Sequence, residues 1–145
     1  MRRFLLIALT IGLAIPIIGC SSKKQVSKSA KPVIETLVSA TESWNGDSYS
    51  YPEGQAQMTL LRITAPVGFR TPVHTHPQPG VAYVVEGKLD CVVTATNTKV
   101  FSAGDSFATT SGDTPHYCES IGSEPAVVFV AYAGVEGQQV TVPIK

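Results

Sequence analysis

Gly68-Phe69-Arg70-Thr71-Pro72-Val73-His74-Thr75-His76-Pro77-Gln78-Pro79-Gly80-Val81-Ala82-Tyr83-Val84-Val85-Glu86-Gly87-Lys88-Leu89 is the stretch that decides the fold. Its second half is a β-branched and aromatic run, stopped by Glu86-Gly87 and resumed at Lys88, which reads as strand, tight turn, strand. Its first half sets His74 and His76 two residues apart, and alternate strand residues share a face, so both imidazoles point the same way. Pro72 and Pro77 bracket the pair and Gly68 precedes it, which restricts the backbone that carries it. The third and last histidine of the chain, His116, follows Pro115, whose ring pushes Thr114 toward an extended conformation. Imidazole is the commonest metal ligand near neutral pH. Three of them from two strands form a nitrogen face with open positions for water, oxygen or substrate.

Outward from this segment the domain reads as all-β. Val, Ile, Thr, Tyr and Phe cluster in short runs, and no amphipathic helix of useful length follows Pro32. Strands are predicted at 33–43, 56–64, 69–75, 81–85, 88–94, 99–102, 105–109, 116–120 and 126–133, with a final one at 140–144; the start of the first, Pro32-Val33-Ile34-Glu35-Thr36-Leu37-Val38, reads equally as the beginning of a short helix. Turns fall at Trp44-Asn45-Gly46-Asp47, Pro66-Val67-Gly68, Glu86-Gly87, Thr96-Asn97, Ala103-Gly104 and Ile121-Gly122-Ser123-Glu124-Pro125. So many short strands hide their edges by closing or stacking, which predicts a sandwich or a jelly-roll barrel.

The spacing also resembles a family. Gly68, His74, His76, position 80 and Gly87 fall as in the first cupin motif, and Gly104, Thr110-Ser111-Gly112 and Pro115-His116 resemble the second. The resemblance implies a cupin-type jelly-roll β-barrel over 32–145, with His74, His76 and His116 as ligands of a divalent transition metal (Fe, Zn, Ni, Cu or Mn). It also implies departures. Cupins of the metal-binding pattern carry Glu where this chain has Gly80, so the anionic ligand is missing. In the second motif the expected Pro is Thr110, the histidine arrives one residue late, and the usual Asn is Ser120. Gln78 is the one nearby side chain with an oxygen to offer, and its place between Pro77 and Pro79 assigns it to a loop. In a cupin barrel the strands of Cys91 and Cys118 are neighbours, so the two cysteines form a possible disulfide; two buried thiols, or a thiol beside the metal, are the alternatives. A homodimer is implied by the same resemblance.

The first residues carry a different signal. Arg2-Arg3, the apolar run 4–18 and Ile17-Ile18-Gly19-Cys20 describe a secretory signal, and the last four residues resemble a bacterial lipobox. Residues 1–19 are then a lipoprotein signal peptide, and Cys20 is the lipidation site. The apolar run is shorter than the roughly 20 residues that span a bilayer. Residues 20–31, with four lysines and no acid, read as a flexible basic tether. The expected location is the bacterial cell envelope, on its periplasmic face, at the outer membrane if the cell is Gram-negative.

The formal net charge is zero and charged residues are sparse, which excludes nucleic-acid binding through a broad basic surface. No Ser-His-Asp order, phosphate loop or thioredoxin-type cysteine pair is present. Tyr83, Phe107, Tyr117, Phe129 and Tyr132 read as core or pocket-wall aromatics, and Trp44 as a turn residue or part of a pocket mouth. Two functions follow: a lipid-anchored module that binds or senses a small-molecule ligand through its metal, or a metal-dependent enzyme, an oxygenase or isomerase. An assembly domain is a third reading. No general base stands beside the ligand motif, which favours the binding module.

Overall fold

The computed structural model describes residues 31–144; the expected signal peptide, Cys20 and nearly all of the expected tether lie outside the described residues. Nine strands and no helix make up the described part: β1 (Ala56–Ala65), β2 (His74–His76), β3 (Gly80–Glu86), β4 (Lys88–Thr94), β5 (Asn97–Ser102), β6 (Ser106–Ala108), β7 (Gly112–Ile121), β8 (Ala126–Val135) and β9 (Val142–Pro143). They form two antiparallel sheets, one in the order β1-β8-β3-β6 and one in the order β5-β4-β7-β2-β9. This is the all-β jelly roll expected from the strand and turn pattern.

The alternation along each strand builds the core. On β8, Ala126, Val128, Val130 and Tyr132 face inward, and on β3 Ala82 and Val84 do the same. From the other sheet Leu89, Cys91 and Phe101 meet them, and Phe107 stacks on Phe101 with ring centroids 3.8 Å apart. Burying such side chains contributes about 1.5–3 kcal/mol each, so the inner faces carry most of the fold's stability.

Two predicted strands differ in the structure. The run 33–43 is not a strand: only Glu42 bridges, to Ser48, and Leu37 is 54% exposed. Val33, Ile34 and Leu37 are exposed, and the Leu37 carbonyl accepts a hydrogen bond from Ser106 Oγ in place of a strand ladder. The expected strand 69–75 is split. The Phe69 carbonyl accepts from the Ser120 N–H and the Thr71 N–H donates to the Cys118 carbonyl, then Pro72, which has no N–H to offer, interrupts the ladder before it resumes at His74.

The turn between β3 and β4 depends on one glycine. Gly87 has φ +71°, and a Cβ there would stand 2.5 Å from the Pro125 carbonyl oxygen. Gly87→Ala is expected to cost about 2–3 kcal/mol through the strained dihedral and the backbone clash together. A urea denaturation midpoint reads this directly; an unchanged midpoint would contradict it.

Candidate metal centre

The three histidines come together on the inner face of the five-stranded sheet. His74 and His116 are register partners across β2 and β7, and His76 pairs with Gly112. The register shifts between the two, so that Asp113, Thr114 and Pro115 stand opposite Thr75 alone. Pro115, without a donor, fits an irregular stretch of this kind. All three imidazoles are buried, with exposures of 7%, 6% and 4% for His74, His76 and His116. Their candidate ligand atoms lie within 4.8 Å of one another.

Each ring is fixed by its outer nitrogen. His74 Nδ1 donates to the Pro72 carbonyl at 2.7 Å, His76 Nδ1 to the Val140 carbonyl at 2.5 Å and His116 Nδ1 to the Thr114 carbonyl at 3.2 Å. A carbonyl can only accept, so the proton of each neutral ring is on Nδ1 and the lone pair is on Nε2. Carbonyl-held imidazoles of this kind are the usual outer support of histidine metal ligands, because the hydrogen bond sets both tautomer and ring orientation. Burial lowers His76 from 6.5 to about 4, with the neighbouring imidazoles of His74 and His116 pushing the same way. Burial lowers His116 to about 4 as well, aided by His74. Both rings are therefore neutral at pH 7, the form that binds metal.

The histidines open onto a cavity of about 130 Å³. Leu61, Ile63, Phe107, Val128 and Val130 supply its apolar walls, and no Asp, Glu, Lys or Arg lines it. Trp44 lines it too and packs edge-on against Phe101 with centroids 6.0 Å apart, so it serves both the turn and the pocket wall. Polar groups besides the histidines are few: Thr109 and Thr110, whose buried hydroxyls have no hydrogen-bond partner, Thr71, Thr141 and Tyr132.

Tyr132, expected as a core or pocket-wall aromatic, is both buried and cavity-lining, and its hydroxyl goes further than that. Its oxygen lies 3.2 Å from His76 Nε2. Burial holds this phenol above the ordinary tyrosine range, so it keeps its proton and donates to the imidazole. Gln78 is buried at 2% exposure, but its amide packs on Gly134, where a Cβ would meet it at 2.7 Å, and it is not among the cavity-lining residues. Cys91 and Cys118, register partners across β4 and β7, are joined in a disulfide; Cys118 lines the cavity two residues from His116.

The cupin domain family, Cupin_2, matches residues 61–132, the span that holds all three histidines, strands β2 to β7 whole and parts of β1 and β8. The chain belongs to the cupin superfamily. Among solved structures it is similar to an RmlC-like cupin from Shewanella frigidimarina (24% identity over 55% of this chain and 68% of that chain, TM-score 0.46). It is similar to the DMSP lyase DddQ from Ruegeria pomeroyi (19% identity, 63% of this chain and 44% of that chain, TM-score 0.48). It also resembles a deletion mutant of the oxalate decarboxylase OxdC from Bacillus subtilis (18% identity, 60% of this chain and 24% of that chain, TM-score 0.51). This last likeness bears on the fold alone, and the cupin barrel spans only a small part of the decarboxylase chain. No curated protein is significantly similar in sequence.

Proposed function

We propose that this cupin holds one divalent transition metal on Nε2 of His74, His76 and His116 and captures a small, largely apolar molecule in the adjoining cavity. The observation that carries the reading is the arrangement of the rings: three buried imidazoles, each tied through Nδ1 to a carbonyl, turn their inner nitrogens toward one pocket. When bound, the metal supplies a Lewis-acid anchor for an electron-pair donor on the ligand. The chain's own residues do the rest. The carbonyls hold the rings, the apolar wall excludes water, and the volume is close to that of cavities of about 150 Å³ that admit benzene. With no charged side chain on the wall, the bound ion is the site's one fixed charge, and the ligand is a compact body that offers it a single donor atom.

The absence of a carboxylate or lysine from the cavity wall favours capture over turnover. A second reading, a metal-dependent oxygenase or isomerase, is favoured by the Tyr132 hydroxyl, which is placed to hold a proton beside His76. Oxygen consumption or product formation by the iron-loaded chain with candidate substrates separates the two.

The test of the metal is its stoichiometry in chain purified without chelator or histidine tag. Wild type should carry about one ion, and added metal at 100 times its dissociation constant should stabilise the fold by about 2.7 kcal/mol. His74→Ala and His116→Ala should each weaken binding at least about 100-fold. Absence of stoichiometric metal, with no stabilisation by added ions, would rule the proposal out.

We further propose an envelope location, with Cys20 acylated and residues 21–31 as tether. Its support is the Ile17-Ile18-Gly19-Cys20 sequence together with the Cys91–Cys118 disulfide, a bond that persists in oxidising compartments. Metabolic labelling with a fatty acid should mark the wild type and not Cys20→Ser; label on both would refute acylation at this residue.

A further inference from the structure

Gly80 and Tyr132 are register partners across β3 and β8. Residues paired in this way project to the same face of the sheet. Gly80 contributes no side chain there, and the tyrosine ring fills the space: a Cβ on Gly80 would come 2.7 Å from Tyr132 Cδ1, 2.9 Å from Thr109 Oγ1 and 3.0 Å from the Ala131 carbonyl oxygen. No side chain can be restored at position 80 while the ring stays. The missing carboxylate and the inward tyrosine are two sides of one packing arrangement.

The far end of that ring carries the only hydroxyl recorded on an inner histidine nitrogen among the described residues, 3.2 Å from His76 Nε2. Two donors on one ion, each about 2.0–2.2 Å from it, stand about 3 Å apart when they are neighbours in the coordination sphere. The spacing of the phenol oxygen and Nε2 is that of adjacent ligands.

We propose that Tyr132 is the fourth protein ligand, its phenolate oxygen taking the place of the carboxylate that position 80 lacks. The inference rests on the three-histidine metal centre proposed above. An ion on Nε2 of His76 would remove the acceptor of the Tyr132 hydroxyl, which is buried at 3% exposure and has no other protein partner among the described residues. An ion held on the inner nitrogens would lie within reach of that oxygen. As the bond forms, the phenolic proton leaves to solvent, one proton for each ion bound. The resulting set of three nitrogens and one anionic oxygen suits Fe(III) and Cu(II) better than three neutral nitrogens alone.

The test uses the purified chain loaded with Fe(III) or Cu(II). Wild type should show a phenolate-to-metal charge-transfer band in the visible, and resonance Raman excitation within it should enhance tyrosine ring modes that shift when ring-deuterated tyrosine is incorporated. Tyr132→Phe, which keeps the ring over Gly80, should still bind one ion per chain but lose the band and at least about tenfold in affinity. Wild type that binds metal without the band or the ring modes, or a Tyr132→Phe variant that keeps the band, overturns the ligand assignment and leaves the three-histidine centre standing. Wild type that binds no metal overturns both. The Raman measurement needs no variant, so it decides the matter even if Tyr132→Phe fails to fold.

Discussion

Metal-free protein is expected to lose about 4 kcal/mol of stability between pH 7 and pH 5 through two histidines. His76 and His116 are each lowered to about 4 in the folded chain, against 6.5 when unfolded. Between those two values the unfolded chain binds protons that the folded chain refuses, so unfolding becomes easier as the pH falls. The penalty starts as pH drops through 6.5 and stops growing below about 4, where the folded rings protonate as well. At pH 5 each ring contributes about 2 kcal/mol, and the full effect approaches about 3 kcal/mol per ring. Against a total stability of about 5–15 kcal/mol this is enough to bring the apoprotein near its unfolding limit. Urea denaturation at pH 7, 6 and 5 measures it, with His76→Gln and His116→Gln as variants that cannot charge and should flatten the slope. A wild-type profile no steeper than that of the double glutamine variant would mean that the buried rings titrate normally. Added metal should hold the wild-type curve up until protons outcompete it for the inner nitrogens, since ligation requires the neutral imidazole.

How much of this was legible in the sequence depends on the range of the interaction. The strands β3 and β4 could be read from Val81-Ala82-Tyr83-Val84-Val85 and the glycine after Glu86, because periodicity and turn chemistry are local. The histidine pair was legible for the same reason. The run 33–43 misled because an apolar stretch is a strand only when a neighbour offers it a ladder and a face, and here neither is supplied. The Cys91–Cys118 bond could be suggested only through the expected neighbourhood of two strands 27 residues apart. Tyr132 was out of reach. Its meaning lies in its register against Gly80, more than fifty residues earlier, and no local pattern encodes that pairing. The histidine supports divide along the same line: the Pro72 and Thr114 carbonyls are two residues from the rings they hold, whereas Val140 comes from the far end of the chain.

Replacing both Cys91 and Cys118 by serine is expected to cost about 3–4 kcal/mol and to lower the melting temperature by roughly 10–15 °C. The two residues are cross-strand partners with Cα atoms 4.1 Å apart, and their bond closes a loop with a sequence separation of 27. That loop contains β5, β6 and most of β7, so without the bond the unfolded chain gains the freedom of a segment that brings Phe101 and Phe107 to the core. Cys91 is fully buried in the core, and two serine hydroxyls in its place also need partners that Leu89 and Phe101 cannot give. Cysteine-to-alanine replacements separate the two causes, since alanine removes the bond without burying a hydroxyl. Wild type unfolded in urea with reductant should match the alanine pair, and neither cysteine should react with a thiol reagent in the unreduced native protein. If reductant leaves the midpoint unchanged, the bond adds nothing to stability. The site responds differently from the fold. Cys118 lies on the same face as His116, but the imidazole is held by its own Thr114 carbonyl, so the alanine pair should keep metal stoichiometry at temperatures where it remains folded. A variant that stays folded yet loses metal would place the disulfide in the positioning of His116 and not only in the anchoring of β4 to β7.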